Sequence, residues 1–268
     1  MKKLTSILNF LGSIILSVLC GILIAVGYNY YIYNKDATIK ELCKKNLFCN
    51  YKKEISESFA KKTFKRKHNT VVHKMLDQEI VVYNVRQEHY NKVDIFLDKV
   101  IEHEKDYKKI FDYDNVKYDS TVFYYSSMYN IGQTMEKEFN LNCCLVKDSI
   151  KLSTIGENLI GRGLDSNYLD CDLRSAFYLA AAEVLHKKLI AVKINGLFSK
   201  VGHIFVRWYK DEKYSNWETW SLSCISDNIY REEWKKDKTP FEEFQELNNS
   251  QFLETWENSS LLKEMSKL

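Results

Sequence analysis

Three side chains that do chemistry together in other settings follow one another in the second half of this sequence. Cys171 opens an apolar stretch, LDCDLRSAFYLAAAEV. His203 follows 32 residues later at the start of HIFVRWY, and Glu218 closes YSNWE. A thiol, an imidazole and a carboxylate are a nucleophile, a base and the group that orients the base. Their chemistry is acyl transfer: attack on an amide or ester carbonyl through a thioester, with no metal or organic cofactor.

Each of the three needs an element to place it. Asp170 is a good N-cap, so the spacing predicts a helix beginning at Cys171. Its apolar stripe is Leu173, Ala176, Phe177, Ala180 and Val184, and Ala180 to Ala182 keep it slim enough to lie close on a sheet. A thiol at a helix N-terminus feels the positive end of the dipole, which favours the thiolate. Asp170 and Asp172 flank it and work the other way. Alone, Cys171 reads as an ordinary buried cysteine.

LIAVKI, residues 189–194, has the composition of a strand, and Asn195-Gly196 is a turn signal. HIFVRW is a second strand, with His203, Phe205 and Arg207 on one face and Ile204, Val206 and Trp208 on the other. A third strand puts Tyr214, Asn216 and Glu218 on one face. Antiparallel pairing brings that face beside His203, where Glu218, or failing it Asn216, would accept the imidazole N–H. The alternative for each residue alone is a polar sheet face; the ordered set makes the case for a site.

The stretch from Leu169 to Glu218 resembles the transglutaminase-like superfamily, with its papain-like cysteine-enzyme fold, and especially the small bacterial members. The shared motifs are LDCD at 169–172, HIFVRW at 203–208 and NWE at 216–218. The resemblance covers about a fifth of the chain. It implies an α+β core in which the cysteine helix packs on a small antiparallel sheet. It implies Cys171 as nucleophile, His203 as base and Glu218 as the acidic third residue, with Asn216 as the fallback. Protein or peptide is the implied substrate, and protease, amidase, cross-linker and inactive binding module are all within the family. The LFSKVG segment before His203 departs from the Pro- or Gly-rich approach common there. Tyr168 and Asn167 are the expected sources of a second oxyanion donor.

The rest of the chain frames that unit. Leu4 to Val26 carry no charge, and as a helix would be about 34 Å long, enough for a hydrocarbon core of about 30 Å. Tyr28, Tyr30, Tyr31 and Tyr33 follow as an interfacial belt would. No small-residue cleavage site follows, so residues 1–34 read as an uncleaved transmembrane anchor. Lys2 and Lys3 with a short tail suggest an exported body, although Lys35, Lys40, Lys44 and Lys45 weigh against it.

Residues 35–111 read as a helical stalk or packing region with an apolar stripe through Val71, Met75, Val93, Phe96 and Val100. A coiled-coil oligomeriser is an alternative reading. The basic run at 61–67, KKTFKRK, reads as a solvated helix face, or as a contact with anionic lipid. Residues 112–235 would form the cysteine domain, in which 161–167, GRGLDSN, is the most loop-like stretch. Residues 236–268 read as an amphipathic helix opened by Pro240 and carrying Phe241, Phe244, Leu247, Phe252, Leu253 and Trp256.

Composition narrows the classes. Of 268 residues, 45% are hydrophobic and 28% charged, so the body is globular. A net charge of +3 gives no warrant for nucleic-acid binding. The seven cysteines include no CxxC pair and no histidine at zinc-finger spacing, so no metal site is expected. Cys43 and Cys49 are near enough to close a small loop in an oxidising compartment, with free thiols as the alternative; Cys20 lies in the apolar N-terminus, and Cys143 and Cys144 read as structural.

Overall fold

A computed structural model describes residues 56, 58–113, 120–143, 159–194, 203–210, 213–236 and 244–261. Residues 55–268 belong to one compact unit. Its helices are α1 (Val71–Glu79), α2 (Gln87–Tyr113), α3 (Ser120–Gln133), α4 (Ile160–Ser166), α5 (Cys171–Val184), α6 (Asp227–Lys236) and α7 (Asn249–Trp256). The strands are β1 (Asn142–Cys143), β2 (Tyr168–Leu169), β3 (Leu189–Ile194), β4 (His203–Lys210), β5 (Lys213–Glu218), β6 (Ser223–Cys224) and β7 (Gln245–Leu247). The class is α+β. The main sheet has the order β6-β5-β4-β3-β7 with every neighbouring pair antiparallel.

The molecule is built on α5. All residues from Leu173 to Ala182 are buried, so the helix is enclosed on every side rather than amphipathic. Ala180, Ala181 and Ala182 leave room for neighbours on both sides. Ala191, Ile204, Val206 and Trp208 of the sheet join the same core as Val72, Met75, Phe96, Leu97, Met128 and Ile131 of α1 to α3. Phe96 meets Phe177 of α5 edge to face, 5.1 Å between ring centres.

The alternation in β3 and β4 sorts their residues as the period of two requires. Leu189, Ala191, Ile204 and Val206 face α5, while Val192, Ile194 and Phe205 form a smaller core with Tyr230 of α6. Both sheet faces are therefore covered, not one face alone. Phe205 and Tyr230 stack at 4.6 Å.

The helical region before the cysteine domain is a packing layer on α5. Val71, Met75, Val93, Phe96 and Val100 of its apolar stripe are buried in the common core. Its helices α1 and α2 are joined by the turn at 80–86, where His89 Nδ1 accepts the Arg86 amide at 3.1 Å and caps α2. The basic run at 61–67 departs from expectation. Helix persists only to residue 63, and 64–70 lies as a strap over α2. Asp94 accepts the Lys67 and His68 amides at 2.7 and 3.0 Å, and both Asp77 oxygens hold Arg66 at 2.8 Å.

Two further expectations are corrected. The stretch at 161–167 is helical. Buried Glu79 caps the N-terminus of α4 by accepting the Ile160 and Gly161 amides, at 2.5 and 2.7 Å. Asn167, at φ 57°, ends the helix in the left-handed region. The glycines serve close approach: a Cβ on Gly163 would stand 2.8 Å from the Tyr168 carbonyl oxygen.

Residues 245–247, placed by their spacing in the last helix, instead form β7 and cover the edge of β3. The helix begins after Asn248, whose side chain accepts the Ser250 and Gln251 amides in a capping box. The expected anchor at 1–34, Cys20, Cys43, Cys49, Cys144 and Pro240 lie outside the described residues. Among the described residues no helix is long and apolar enough to cross a membrane.

Candidate active site

Cys171 is the first residue of α5, and Asp170 caps the helix by accepting the Leu173 amide at 2.9 Å. That leaves the amides of Cys171 and Asp172 as first-turn donors without an intrahelical acceptor. Cys171 is half-buried. The backbone amide of Ile204, the residue that follows His203, is close enough to the thiol to favour its thiolate. The start of β4 therefore lies directly against the start of α5. Ser175, one turn along, donates to the Ile204 carbonyl at 3.5 Å and holds the same junction.

His203 and Glu218 meet across neighbouring strands. The register pairs Val206 with Trp217 and Arg207 with Asn216, which sets Glu218 on the face of His203. His203 Nε2 lies 2.7 Å from Glu218 Oε2. Both side chains are buried, and Tyr230 donates to the same Glu218 oxygen at 2.6 Å. Glu218 thus orients the ring through Nε2.

Asn216 has other work. Its Oδ1 accepts from Arg207 Nε at 2.7 Å and its Nδ2 donates to Asp227 Oδ1 at 2.6 Å. Arg207 also reaches Glu246 at 2.6 Å and Asp227 at 2.8 Å, under the Tyr214 ring at 3.9 Å. The fallback residue thus belongs to a network that ties β4, β5, β7 and α6 together. Asn167 is likewise engaged: its Oδ1 accepts from Lys92 of α2 at 2.9 Å. Tyr168 lies in β2, paired in parallel with β1.

Two contacts fix α5 to the strand bearing Glu218 and the residue after it. Arg174, fully buried, donates to the Thr219 carbonyl at 2.8 Å, to the Leu141 carbonyl at 3.2 Å and to Glu136 at 2.8 Å. Trp217 Nε1 donates to the Tyr178 hydroxyl at 2.9 Å. An arginine in an otherwise apolar helix was the available sign for the first. Tyr230 has no such sign; its place follows only from how α6 folds back.

The electrostatics hold the thiol neutral. Burial pushes the Cys171 thiol well up, Asp172 and Asp170 push it the same way, and the Ile204 amide opposes them. Asp172 Oδ1 accepts the S–H at 3.4 Å. Burial also raises the Asp172 carboxyl, with Cys171, His203 and Lys193 pulling it back.

Among the described residues no cluster of His, Cys, Asp or Glu is set to hold a metal. A cleft of about 500 Å³ runs beside Tyr214, Asn216, Asp227 and Arg231, and another of about 470 Å³ beside Lys67, Asp98 and Lys105. Neither is lined by Cys171 or His203. Comparison with protein-family models, curated proteins and solved structures found no match.

Proposed function

We propose that this chain is a membrane-anchored, transglutaminase-like cysteine enzyme that acts on amide or ester bonds of a protein or peptide by acyl transfer. The observation that carries the reading is the contact of His203 Nε2 with Glu218 Oε2 at 2.7 Å, on the strand end that Ser175 ties to the Cys171 helix. The thiol rests protonated. On attack its proton passes to His203 Nδ1 as the sulfur bonds to the carbonyl carbon. The imidazolium is stabilised through Nε2–H by Glu218. The amides of Cys171 and Asp172, at the positive end of α5, face the developing oxyanion. Collapse returns the proton to the leaving amine or alcohol and leaves a thioester, which water or an amine resolves with His203 again as base. Residues 4–26 would hold the body at a membrane, on the extracytoplasmic side.

One observation favours a second reading, a non-catalytic binding or scaffold module at the membrane. It is the Cys171 S–H seated on the Asp172 carboxylate at 3.4 Å, an arrangement that favours the thiol. The test is the pH profile of Cys171 alkylation in the wild type and in His203→Ala. A rate that falls with His203→Ala supports the enzyme; a profile indifferent to His203 supports the module.

A further inference from the structure

We propose that Tyr230 is a positioning residue of this site: its hydroxyl holds the Glu218 carboxylate in the orientation that fixes the His203 ring. The inference rests on the acyl-transfer reading above and deepens it.

The geometry is specific. One carboxylate oxygen, Glu218 Oε2, receives both the His203 ring at 2.7 Å and the Tyr230 hydroxyl at 2.6 Å. The other oxygen, Oε1, is buried and has no hydrogen-bond partner among the described residues. Among the described residues the carboxylate is therefore held at one oxygen only. Two donors converging there define its plane; with His203 alone, the group could rotate about its last bond and carry the ring with it.

Tyr230 is itself fixed. Its ring stacks on Phe205, two residues along β4 from His203, and meets Phe244 edge to face at 6.2 Å. Its helix is tied at its first residue, where Asp227 accepts from Asn216, Arg207 and Tyr214. Tyr230 is 4% exposed and Glu218 1%. No bulk water competes for so buried an oxygen. Burial and the Glu218 charge push the phenol well up, so it stays a donor throughout the working range.

A tyrosine buried for packing alone would show none of this dependence, which makes the role testable. The full chain in detergent micelles, with ring-¹⁵N-labelled histidine, reports the His203 tautomer; the signal is assigned by its loss in His203→Gln. The wild type is expected to hold neutral His203 in the Nε2–H form. Tyr230→Phe, which keeps the stacking ring, is expected to give a mixture of tautomers. Acetylation of Cys171 by p-nitrophenyl acetate should slow about tenfold, the loss typical of one charge-assisted hydrogen bond, but not slow further when the change is made in Glu218→Gln. Phe205→Leu, which removes the stack and keeps the hydroxyl, should lower stability and leave the tautomer unchanged. An unaltered tautomer in Tyr230→Phe, or an equal loss of rate in both backgrounds, overturns the proposal. If Cys171 is never acetylated, the enzyme reading fails, and the tautomer alone still decides the role of Tyr230.

Discussion

Asp172 Oδ1 lies 3.4 Å from Cys171 Sγ and accepts its S–H. The neighbour that follows Cys171 in sequence thus stabilises the thiol, not the thiolate. Helix dipole and carboxylate act in opposite senses at this sulfur, and burial sides with the carboxylate. Asp172→Asn removes a negative charge and keeps the side-chain shape. Alkylation of Cys171 at pH 7 should quicken roughly tenfold, with the whole profile moved to lower pH. Iodoacetamide labelling read by peptide mass spectrometry checks it, with exposed Cys224 as the internal standard. An unchanged profile would mean that Asp172 does not set the thiol.

Glu79 and His73 make opposite contributions to stability as pH changes. Burial raises Glu79 from 4.5 to about 8, against the amides of Gly161 and Ile160. The folded state then holds more protons than the unfolded state between those values, so stability falls as pH rises through that window. Burial lowers His73 from 6.5 to about 4, with Asp94 opposing. There the unfolded state holds more protons, so stability rises from about 4 to 6.5. The two offset each other below 6.5. Between 6.5 and 8 the Glu79 contribution is left, at about 1.4 kcal/mol per pH unit for one proton. Denaturation midpoints should fall from pH 6.5 to 8 in the wild type. In Glu79→Gln they should rise up to 6.5 and then level off.

Gly163→Ala tests how closely α4 sits on the segment that leads to Cys171. Alanine is the better helix former by about 1 kcal/mol. The new Cβ would, however, stand 2.8 Å from the Tyr168 carbonyl oxygen and 2.8 Å from Leu169 Cδ2. Backbone cannot yield as a side-chain tip can, and overpacking costs about 1–3 kcal/mol. The clash wins: the variant should unfold at lower denaturant and acylate more slowly at Cys171. A stabilised variant would show that the contact is relieved at no cost.

Asn216→Ala should separate structure from chemistry. It leaves Arg207 and Asp227 short of a buried partner, a loss of about 1–3 kcal/mol. The rate at Cys171 should hold, because Glu218 and not Asn216 touches His203. Glu218→Gln should slow that rate. Denaturation and acylation measured side by side distinguish the two residues.

The local periods were legible. Alternation in HIFVRW and in YSNWE assigned the faces of β4 and β5, because successive side chains of a strand point to opposite faces. Asp170 announced the start of α5. What could not be read lay in long-range packing. Gly161 and Gly163 signal a loop by composition, yet here they admit Tyr83 and Tyr168 at close range. Residues 245–247 continue a helical spacing, but the open edge of β3 claims them as a strand. Local propensity was outweighed by unsatisfied backbone. Arg174 and Tyr230 bind partners 45 and 12 residues away, which no local pattern encodes.

The central claim is that Cys171 acts as a nucleophile through His203 and Glu218. Its most direct test is the covalent product. The full chain in detergent micelles is mixed with p-nitrophenyl acetate, quenched in acid within seconds, and the acetyl group located by peptide mass spectrometry. The account predicts acetyl on Cys171 well ahead of Cys224, in a reaction abolished by Cys171→Ser and slowed at least about a hundredfold by His203→Ala, the scale of lost general-base catalysis. Acetylation of Cys171 no faster than that of Cys224, or equally fast without His203, would contradict it.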